Sequence, residues 1–169
     1  MAYDVIWGKF SLKNYDLTIE DFKKAKNNQI REDYFQPIAE DILELKKFKK
    51  IKCHDISQSV PFDFIAKRNG TLALIEMKGS IDTFNYSKAT QYARLLRVID
   101  ALKEEQSIKP DIFLIQLNLT LETYQILDNQ FYSMVFPIIR NKMKEDQKLG
   151  KHQNIKTSLE EIEKYLQEN

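Results

Sequence analysis

The chain has 169 residues, with 26 Lys+Arg against 25 Asp+Glu and 43% apolar residues. These values indicate a single domain over residues 1–169, and the near-zero net charge excludes a protein that coats nucleic acid or an anionic membrane by bulk attraction. A single Cys cannot form an internal disulfide, and four Gly without a GxGxxG or GxxxxGK[ST] string argue against a glycine-cradled nucleotide. No run reaches about 18 apolar residues, so we expect a cytoplasmic protein without a membrane partner.

Two helices are predicted in the first part of the chain. Thr18 precedes Asp21 by three residues, a capping-box pattern that predicts a short helix ending near Lys26. A second helix is expected over residues 30–47, where Phe35, Ile38, Ala39, Ile42 and Leu45 recur at three- and four-residue spacing. Pro37 either kinks this helix or lies in its first turn, in which case residues 30–36 form a separate segment.

A β-hairpin is predicted over residues 61–79, after a mildly β-like stretch at 48–56. Asn69-Gly70 separates two apolar runs and favours a two-residue type I′ turn, because both turn positions need positive φ. Counting back from an Arg68–Thr71 pair places Asp63 directly opposite Glu76. One face then carries Phe62, Phe64, Ala66, Ala73, Ile75 and Met77, and the other carries Ile65, Leu72, Leu74, Asp63, Glu76 and Lys78. Both faces are mostly apolar, which is typical of central strands covered by helices.

The remaining elements are predicted to begin with a helix and a strand. The helix spans residues 86–106, with an apolar side formed by Ala89, Tyr92, Ala93, Leu96, Ile99 and Leu102, and residues 111–119 form a buried strand. Thr120 is expected to cap a helical stretch interrupted at Pro137, and Ser158 to cap a last amphipathic helix. We expect Phe131, Tyr132, Met134 and Phe136 to lie in the core, with a dimer surface as the alternative.

The negative charges of two carboxylates on one face of the hairpin repel each other and need a compensating positive charge. Directly opposed residues have Cβ atoms about 4.5–5.5 Å apart, and like charges at that distance are destabilising. A divalent cation such as Mg²⁺ or Mn²⁺ is the compensator that converging carboxylate oxygens favour. Lys78 lies one pleat beyond Glu76 on the same face. An ion pair of Lys78 with Asp63 or Glu76 is the alternative, and it accounts for only one of the two carboxylates.

This hairpin resembles the PD-(D/E)xK nuclease superfamily. The residues that carry the resemblance are Pro61-Phe62-Asp63 and Ile75-Glu76-Met77-Lys78, with a helix before the hairpin and a helix and a strand after it. The resemblance covers about residues 30–119 and implies a restriction-endonuclease-like α/β (α+β) fold. Its mixed central sheet of about four strands is flanked by helices in the order αβββαβ, and residues 1–29 and 120–169 are accessory helices. The implied activity is metal-dependent DNA endonuclease chemistry of the restriction, homing or junction-resolving type.

The resemblance also implies roles for individual residues. Asp63, Glu76 and the main-chain carbonyl of Met77 would hold Mg²⁺, for which Mn²⁺ can substitute, and Lys78 would orient the attacking water. Family members often add a glutamate on the preceding helix and a polar residue on the following one. Glu32 faces the core side of its helix better than Glu40, and Gln91 is the downstream candidate. An ordinary solvated helix surface is the alternative for Glu32 and Gln91.

Basic residues are concentrated in the middle of the chain, since five of the seven residues 46–52 are lysine. As contacts to the DNA backbone we expect Lys46, Lys47, Lys49, Lys50, Lys88 and Arg94, with a solvated surface as the alternative. Cys53, His54 and His152 do not have the spacing of a metal site. Because one site per chain must cut two strands, a homodimer or larger assembly is expected. A non-catalytic nucleic-acid-binding or assembly subunit is a second hypothesis, and RNA is not distinguished from DNA.

Overall fold

The computed structural model describes residues 5–54, 60–81, 89–146 and 155–169. In this part of the chain, a six-stranded mixed sheet lies between two helical layers. The strands are β1 (Val5–Lys9), β2 (Lys49–Cys53), β3 (Phe64–Arg68), β4 (Thr71–Ser80), β5 (Asp111–Asn118) and β6 (Thr123–Leu127). The helices are α1 (Ile19–Lys24), α2 (Asn28–Leu45), α3 (Ala89–Gln106), α4 (Asn129–Glu145) and α5 (Lys156–Glu168), with a 3₁₀ turn at Leu12–Tyr15. None of these described helices has both the length and the apolar character needed to cross a membrane.

The sheet has the strand order β1-β6-β5-β4-β3-β2. Neighbouring strands are antiparallel except β4 and β5, which run parallel. Parallel neighbours require a crossover connection, and α3 lies between these two strands in the chain. The predicted α/β class, with a mixed sheet flanked by helices, is therefore confirmed, whereas the sheet has six strands instead of about four.

The two additional strands come from segments that were expected to form accessory helices. β1 pairs along its whole length with β6, and β6 pairs with β5. Thr120 lies in the turn between β5 and β6, so the prediction that it caps a helix is wrong. The next helix starts later, where the Asp128 side chain accepts a hydrogen bond from the N–H of Gln130. Segments of five residues carry little periodicity, and the strand conformation of β1 also depends on pairing with a partner distant in sequence.

The core has two apolar clusters, one on each face of the sheet. The first lies under α1 and α2 and includes Phe22, Phe35, Ile38, Phe64, Ile75 and Phe113. The second lies under α3, α4 and α5 and includes Phe62, Ile65, Leu74, Leu96, Tyr132 and Ile162. Because β3, β4 and β5 are covered on both faces, their sequences are nearly continuous apolar runs. Phe62 belongs to the second cluster, contrary to the predicted alternation, which breaks at Asp63 just before β3 begins.

The first two helices agree with the sequence in their existence and differ in detail. Thr18 forms the predicted capping box with Asp21 at the start of α1. The second helix, α2, runs without interruption through Pro37, so residues 30–36 are not a separate segment. Leu45, which the sequence places in the apolar stripe, is 71% exposed. The neighbouring Leu43 is buried instead. The last turn of the helix therefore presents a different face to the core from the one predicted.

The later helices also correct two predictions. Ser158 is buried within the first turns of α5, and the residue at the N-cap position is Ile155. Tyr132 is buried in the second cluster, as expected, but Met134 is 58% exposed. Helix α3 and strand β5 lie where the sequence placed them, although residues 86–88 fall outside the described part of the chain, as do residues 55–56 of the β-like stretch.

Candidate functional site

The hairpin of β3 and β4 has the register that the Asn69-Gly70 turn predicts. Arg68 pairs with Thr71, and the ladder continues to the pair formed by Phe64 and Ile75. Asn69 and Gly70 have φ values of 54° and 77°, the positive values that a type I′ turn requires. The prediction of the turn and of the register is therefore confirmed. Asp63 is the residue immediately before this ladder.

Asp63 is held by hydrogen bonds of its main chain and of its side chain at the end of the hairpin. Its main-chain N–H donates to the Ile75 carbonyl at 2.8 Å, and its carbonyl accepts from the N–H of His54 at 3.1 Å. Its carboxylate Oδ2 accepts from the main-chain N–H of Met77 at 2.7 Å. This last bond joins the acidic residue that precedes β3 to the residue between Glu76 and Lys78, so the predicted carboxylate and the Glu-Met-Lys segment are brought together.

Glu76 lies on the buried part of β4, and only 2% of its surface is exposed. Its Oε2 accepts a hydrogen bond from the Tyr132 hydroxyl of α4 at 3.2 Å. Burial raises the pKa of Tyr132 well above its ordinary value, and the negative charges of Glu76 and Asp63 raise it further. Both carboxylates therefore act electrostatically on the same buried hydroxyl, which places them in one region of the protein.

Lys78 follows Glu76 by one pleat and lies towards α3. Its Nζ is 5.6 Å from the centre of the Tyr92 ring, within the range of a cation–π contact. On β5 its partner in register is Gln116, which is buried. Glu76 and Lys78 thus interrupt the sheet face of the second cluster, which otherwise carries apolar side chains such as Ile65, Leu74 and Leu114.

The donor set of this region suits a hard divalent cation that keeps part of its water shell. Within the described residues there is no group of three or more His, Cys, Asp or Glu side chains able to hold a metal. Mg²⁺ does not need one, because it is usually bound by one or two carboxylates together with waters and substrate phosphates. Asp63 and Glu76 provide two carboxylates, and the main chain of Met77 lies directly against Asp63.

The two candidate glutamates of α2 occupy different surroundings. Glu40 Oε2 accepts a hydrogen bond from the Cys53 thiol at 3.6 Å. Cys53 is paired with Phe64, the residue next to Asp63. Burial is the main cause that raises the pKa of this thiol from 9.0 to about 11. A hydrogen bond with Gln36 lowers the pKa, and the charges of Glu40 and Asp63 raise it by smaller amounts. Glu40 therefore shares a neighbour with Asp63, whereas Glu32, the residue favoured from the sequence, lies two turns earlier on the helix and is half-buried.

Gln91 and Arg94 lie in the first turns of α3 and are both half-buried. Gln91 is adjacent in sequence to Tyr92, whose ring contacts Lys78. The start of this helix is therefore close to the lysine of the candidate site. Lys88 lies outside the described residues.

The expected nucleic-acid lysines lie at the other end of the hairpin, beside its turn. Lys46 is half-buried at the end of α2, and Lys47, Lys49 and Lys50 are exposed. These three, together with Lys67, Asn69 and Gly70, line a depression of about 260 Å³, which we call the lysine pocket. Lys67 is not among the nucleic-acid contacts expected from the sequence. The pairing of β2 with β3, which places Lys49 opposite Lys67, is what identifies it.

Tyr132 and Gln116 are further site residues that the sequence did not indicate. Tyr132 is 56 positions away from Glu76 in the chain, and its hydroxyl reaches the carboxylate only because α4 packs on the sheet. No local pattern marks such a contact. For Gln116 there is a weak signal, a polar residue inside the apolar run of β5.

The sequence matches no protein-family model, and no curated protein is similar to it. The contacts around Asp63, Glu76 and Lys78 are therefore the basis for assigning a function.

Proposed function

We propose that the protein is a metal-dependent DNA endonuclease of the PD-(D/E)xK type, which hydrolyses phosphodiester bonds. The observation that carries the proposal is the 2.7 Å hydrogen bond from the Met77 N–H to Asp63 Oδ2. It brings a carboxylate from one strand of the hairpin against the Glu-Met-Lys segment of the other. The register of the hairpin makes these residues neighbours, and three side-chain types suited to phosphodiester hydrolysis occupy the neighbouring positions.

The order of elements supports the same proposal. From α2 to β5 the chain runs through α2, β2, β3, β4, α3 and β5, which is the succession αβββαβ. On this proposal these elements form a restriction-endonuclease-like core, and β1, β6, α4 and α5 are additions to it. One of the additions, α4, supplies the hydroxyl that contacts Glu76.

Asp63, Glu76 and the main-chain carbonyl of Met77 are the groups that would hold Mg²⁺ or Mn²⁺. The bound metal would supply a Lewis acid for the scissile phosphate and a water of lowered pKa. Lys78 orients the attacking water and offsets the negative charge that develops on the phosphate oxygens. Tyr132 fixes one oxygen of Glu76 and so limits the orientations open to this carboxylate. Restriction, homing and junction resolution are all compatible with this chemistry.

The test is cleavage of a panel of plasmid, branched and single-stranded DNA in the presence of Mg²⁺. Asp63→Ala and Glu76→Ala are expected to abolish cleavage and to leave the circular dichroism spectrum unchanged. Glu20→Ala, which removes an exposed carboxylate on α1, serves as the matched control and is expected to cleave normally. Undiminished cleavage by both site variants would show that the activity does not use this site.

A second candidate function is a non-catalytic nucleic-acid-binding or assembly subunit. The observation that favours it is the burial of Glu76, whose 2% exposure and bond with Tyr132 are also expected of a structural carboxylate. Calorimetry with Mn²⁺ separates the two functions. Binding that is lost in Asp63→Ala supports the nuclease, and the absence of metal binding in the unaltered protein supports the binding subunit.

A further inference from the structure

We infer that the lysine pocket is a second nucleic-acid site, which holds a backbone phosphate of the substrate at a set distance from Asp63 and Glu76. This inference rests on the proposed nuclease function for the identity of the substrate. It adds a substrate-binding residue, Lys67, and a minimum length for the substrate.

Four lysines line the pocket, and its charge therefore suits an anionic occupant. Lys47 and Lys49 are exposed, whereas Lys50 and Lys67 both donate to a terminal oxygen of Asn169, at 3.2 and 2.7 Å. In the same lysine run, Lys52 Nζ is 4.0 Å from Glu168 Oε2. A phosphodiester group supplies negative charge and acceptor oxygens for the lysines that Asn169 does not engage.

The backbone of the pocket is unusual for lysine. Lys47 and Lys50 have φ values of 72° and 53°, in the left-handed region that favours glycine. Lys47 follows the end of α2, where its N–H donates to the Glu44 carbonyl and the N–H of Phe48 donates to the Leu43 carbonyl. Glycine is the usual residue at this position of a helix end. Lys50 lies where the β2–β3 register shifts between Lys49 and Lys52.

Two lysines thus occupy positions at which glycine would make the fold more stable, and both line the same pocket. Strained conformations of this kind concentrate at functional sites, because the side chain is needed there in spite of its cost. Positive φ also occurs at Asp16, Ser107 and Glu122, so the conformation of the two lysines supports the inference only together with the charge of the pocket.

The distance from the pocket to the candidate catalytic site follows from β3. Asp63 precedes this strand, and Arg68 ends it beside the turn that lines the pocket. Five residues at about 3.3 Å each give roughly 17 Å between the two ends. This is the length of about five base-pair steps of duplex DNA at 3.4 Å. The path between them is β2, an edge strand of the sheet that carries Lys52 and ends at Cys53.

The first experiment measures binding without catalysis. An Asp63→Asn background in metal-free buffer with a labelled duplex isolates affinity from cleavage. Adding Lys47→Gly and Lys50→Gly is expected to weaken binding. The slope of log K against log salt concentration is expected to fall by about 1 for each phosphate that the variant no longer neutralises. Because glycine suits both φ values, the melting temperature of the variant is expected to equal or exceed that of its parent. Lys49→Gln, at an ordinary φ, is expected to weaken binding in the same direction.

The control removes the same charge from the opposite edge of the sheet. Lys9→Ala with Lys13→Ala is expected to leave the salt slope at the value of the parent, since β1 is the strand farthest from β2. Equal losses in the control and in the glycine variant would overturn the inference, because they would show an effect of net charge alone. An unchanged affinity and slope in the glycine variant would overturn it as well.

The second experiment uses cleavage by the protein with its catalytic residues intact. Shortening the duplex on one side of the cut to fewer than about five base pairs, the length estimated from β3, is expected to lower kcat/KM for the unaltered protein and not for the glycine variant. If the unaltered protein binds duplex but never cleaves it, the proposed function fails while the binding experiment still decides the pocket. If cleavage is normal and the glycine variant binds and cleaves like its parent, the pocket fails and the proposed function stands.

Discussion

Asp63 is the residue whose surroundings best explain how two acidic side chains persist at the end of an apolar hairpin. Its carboxylate accepts a hydrogen bond from a main-chain N–H, its own N–H donates to Ile75 on β4, and its carbonyl accepts from His54, the residue after β2. Hydrogen bonds of this kind to a carboxylate are stronger than those between neutral groups and reduce the cost of its burial. Glu76 is compensated differently, by a tyrosine hydroxyl from a helix distant in sequence.

The contact between Tyr132 and Glu76 predicts a difference between two buried tyrosines. Tyr132→Phe removes a buried hydrogen bond to the Glu76 carboxylate and is expected to lower the free energy of unfolding by about 1–3 kcal/mol. Tyr165 is equally buried, and its hydroxyl has no hydrogen-bond partner among the described residues. Tyr165→Phe removes a buried hydroxyl without a partner in the described part of the chain and is therefore expected to leave the free energy of unfolding unchanged or to raise it. Urea unfolding of the two variants measures this, and equal costs would contradict the role assigned to Tyr132.

Cys53 provides a chemical reporter of the charge on Asp63. Burial is the main cause that raises the pKa of the thiol from 9.0 to about 11, a hydrogen bond with Gln36 lowers it, and the charges of Glu40 and Asp63 raise it by smaller amounts. Because each pH unit is a factor of ten, alkylation at neutral pH is expected to be roughly a hundredfold slower than for a thiol at 9.0. A cation on Asp63 lowers this pKa, so Mg²⁺ is expected to accelerate alkylation.

The control for this measurement is Asp63→Asn, in which Mg²⁺ is expected to have no effect on the alkylation rate. Acceleration by Mg²⁺ that is lost in Asp63→Asn would support metal binding at Asp63, and equal acceleration in both proteins would contradict it. The same pKa has a consequence for stability, because the folded state favours the neutral thiol. Its contribution is fully present below pH 9.0 and is lost as the pH rises towards about 11.

At the scale of elements, the packing of α2 on β4 depends on a close approach at Gly79. A Cβ atom at this position would collide with the ring of Phe35, a buried residue of the first cluster. The two elements meet one residue beyond Lys78, so the position of the proposed catalytic lysine depends on this contact. Glycine is required here for space, whereas Gly70 has nothing within 4 Å of its Cβ position and is required for its φ of 77°.

Gly79→Ala is therefore expected to lower the free energy of unfolding by about 1–3 kcal/mol through overpacking. Phe35→Leu provides space, so the cost of Gly79→Ala is expected to be smaller in that background. A double-mutant cycle from thermal unfolding measures the coupling. Independent, additive effects would show that the ring of Phe35 does not limit this position.

The elements differ in how much of them the sequence predicts. The hairpin is predictable to the residue, because the conformational needs of Asn69 and Gly70 determine the turn and the turn determines the register. The capping box at Thr18 is local in the same sense. By contrast, β1 forms because it pairs with β6 across more than a hundred residues, and no pattern within five residues indicates such a partner.

At the scale of the whole molecule, the proposed function makes a prediction about assembly. The chain offers one candidate site, and a double-strand break requires two hydrolysed phosphodiester bonds. We therefore expect a homodimer, of twice the chain mass of 20.0 kDa, when DNA is bound. Sedimentation of the Asp63→Asn variant with duplex DNA measures the mass without cleavage. A complex that contains one chain per duplex would contradict double-strand cutting.

The near-neutral composition of the whole chain conceals a separation of charge along β2. Lysines line one end of this edge strand, and the other end reaches the neighbourhood of Asp63. Helix α5 lies beside the same strand. Its Glu161 Oε2 is 3.6 Å from His54 Nδ1, and its Glu168 Oε2 is 4.0 Å from Lys52 Nζ. The positive charge available to a phosphate is therefore local and is concentrated in the lysine pocket.

The sequence by itself determined the hairpin, its register and the position of Asp63 beside the Glu-Met-Lys segment, because short-range turn geometry decides all three. It also determined the α/β class, since periodicity distinguishes the long helices from the buried strands. The tertiary structure alone decided the number of strands, the contact of Glu40 with Cys53, the hydroxyl of Tyr132 beside Glu76 and the presence of Lys67 in the lysine pocket. Each of these depends on residues that are distant in the chain and become neighbours only when the helices pack on the sheet.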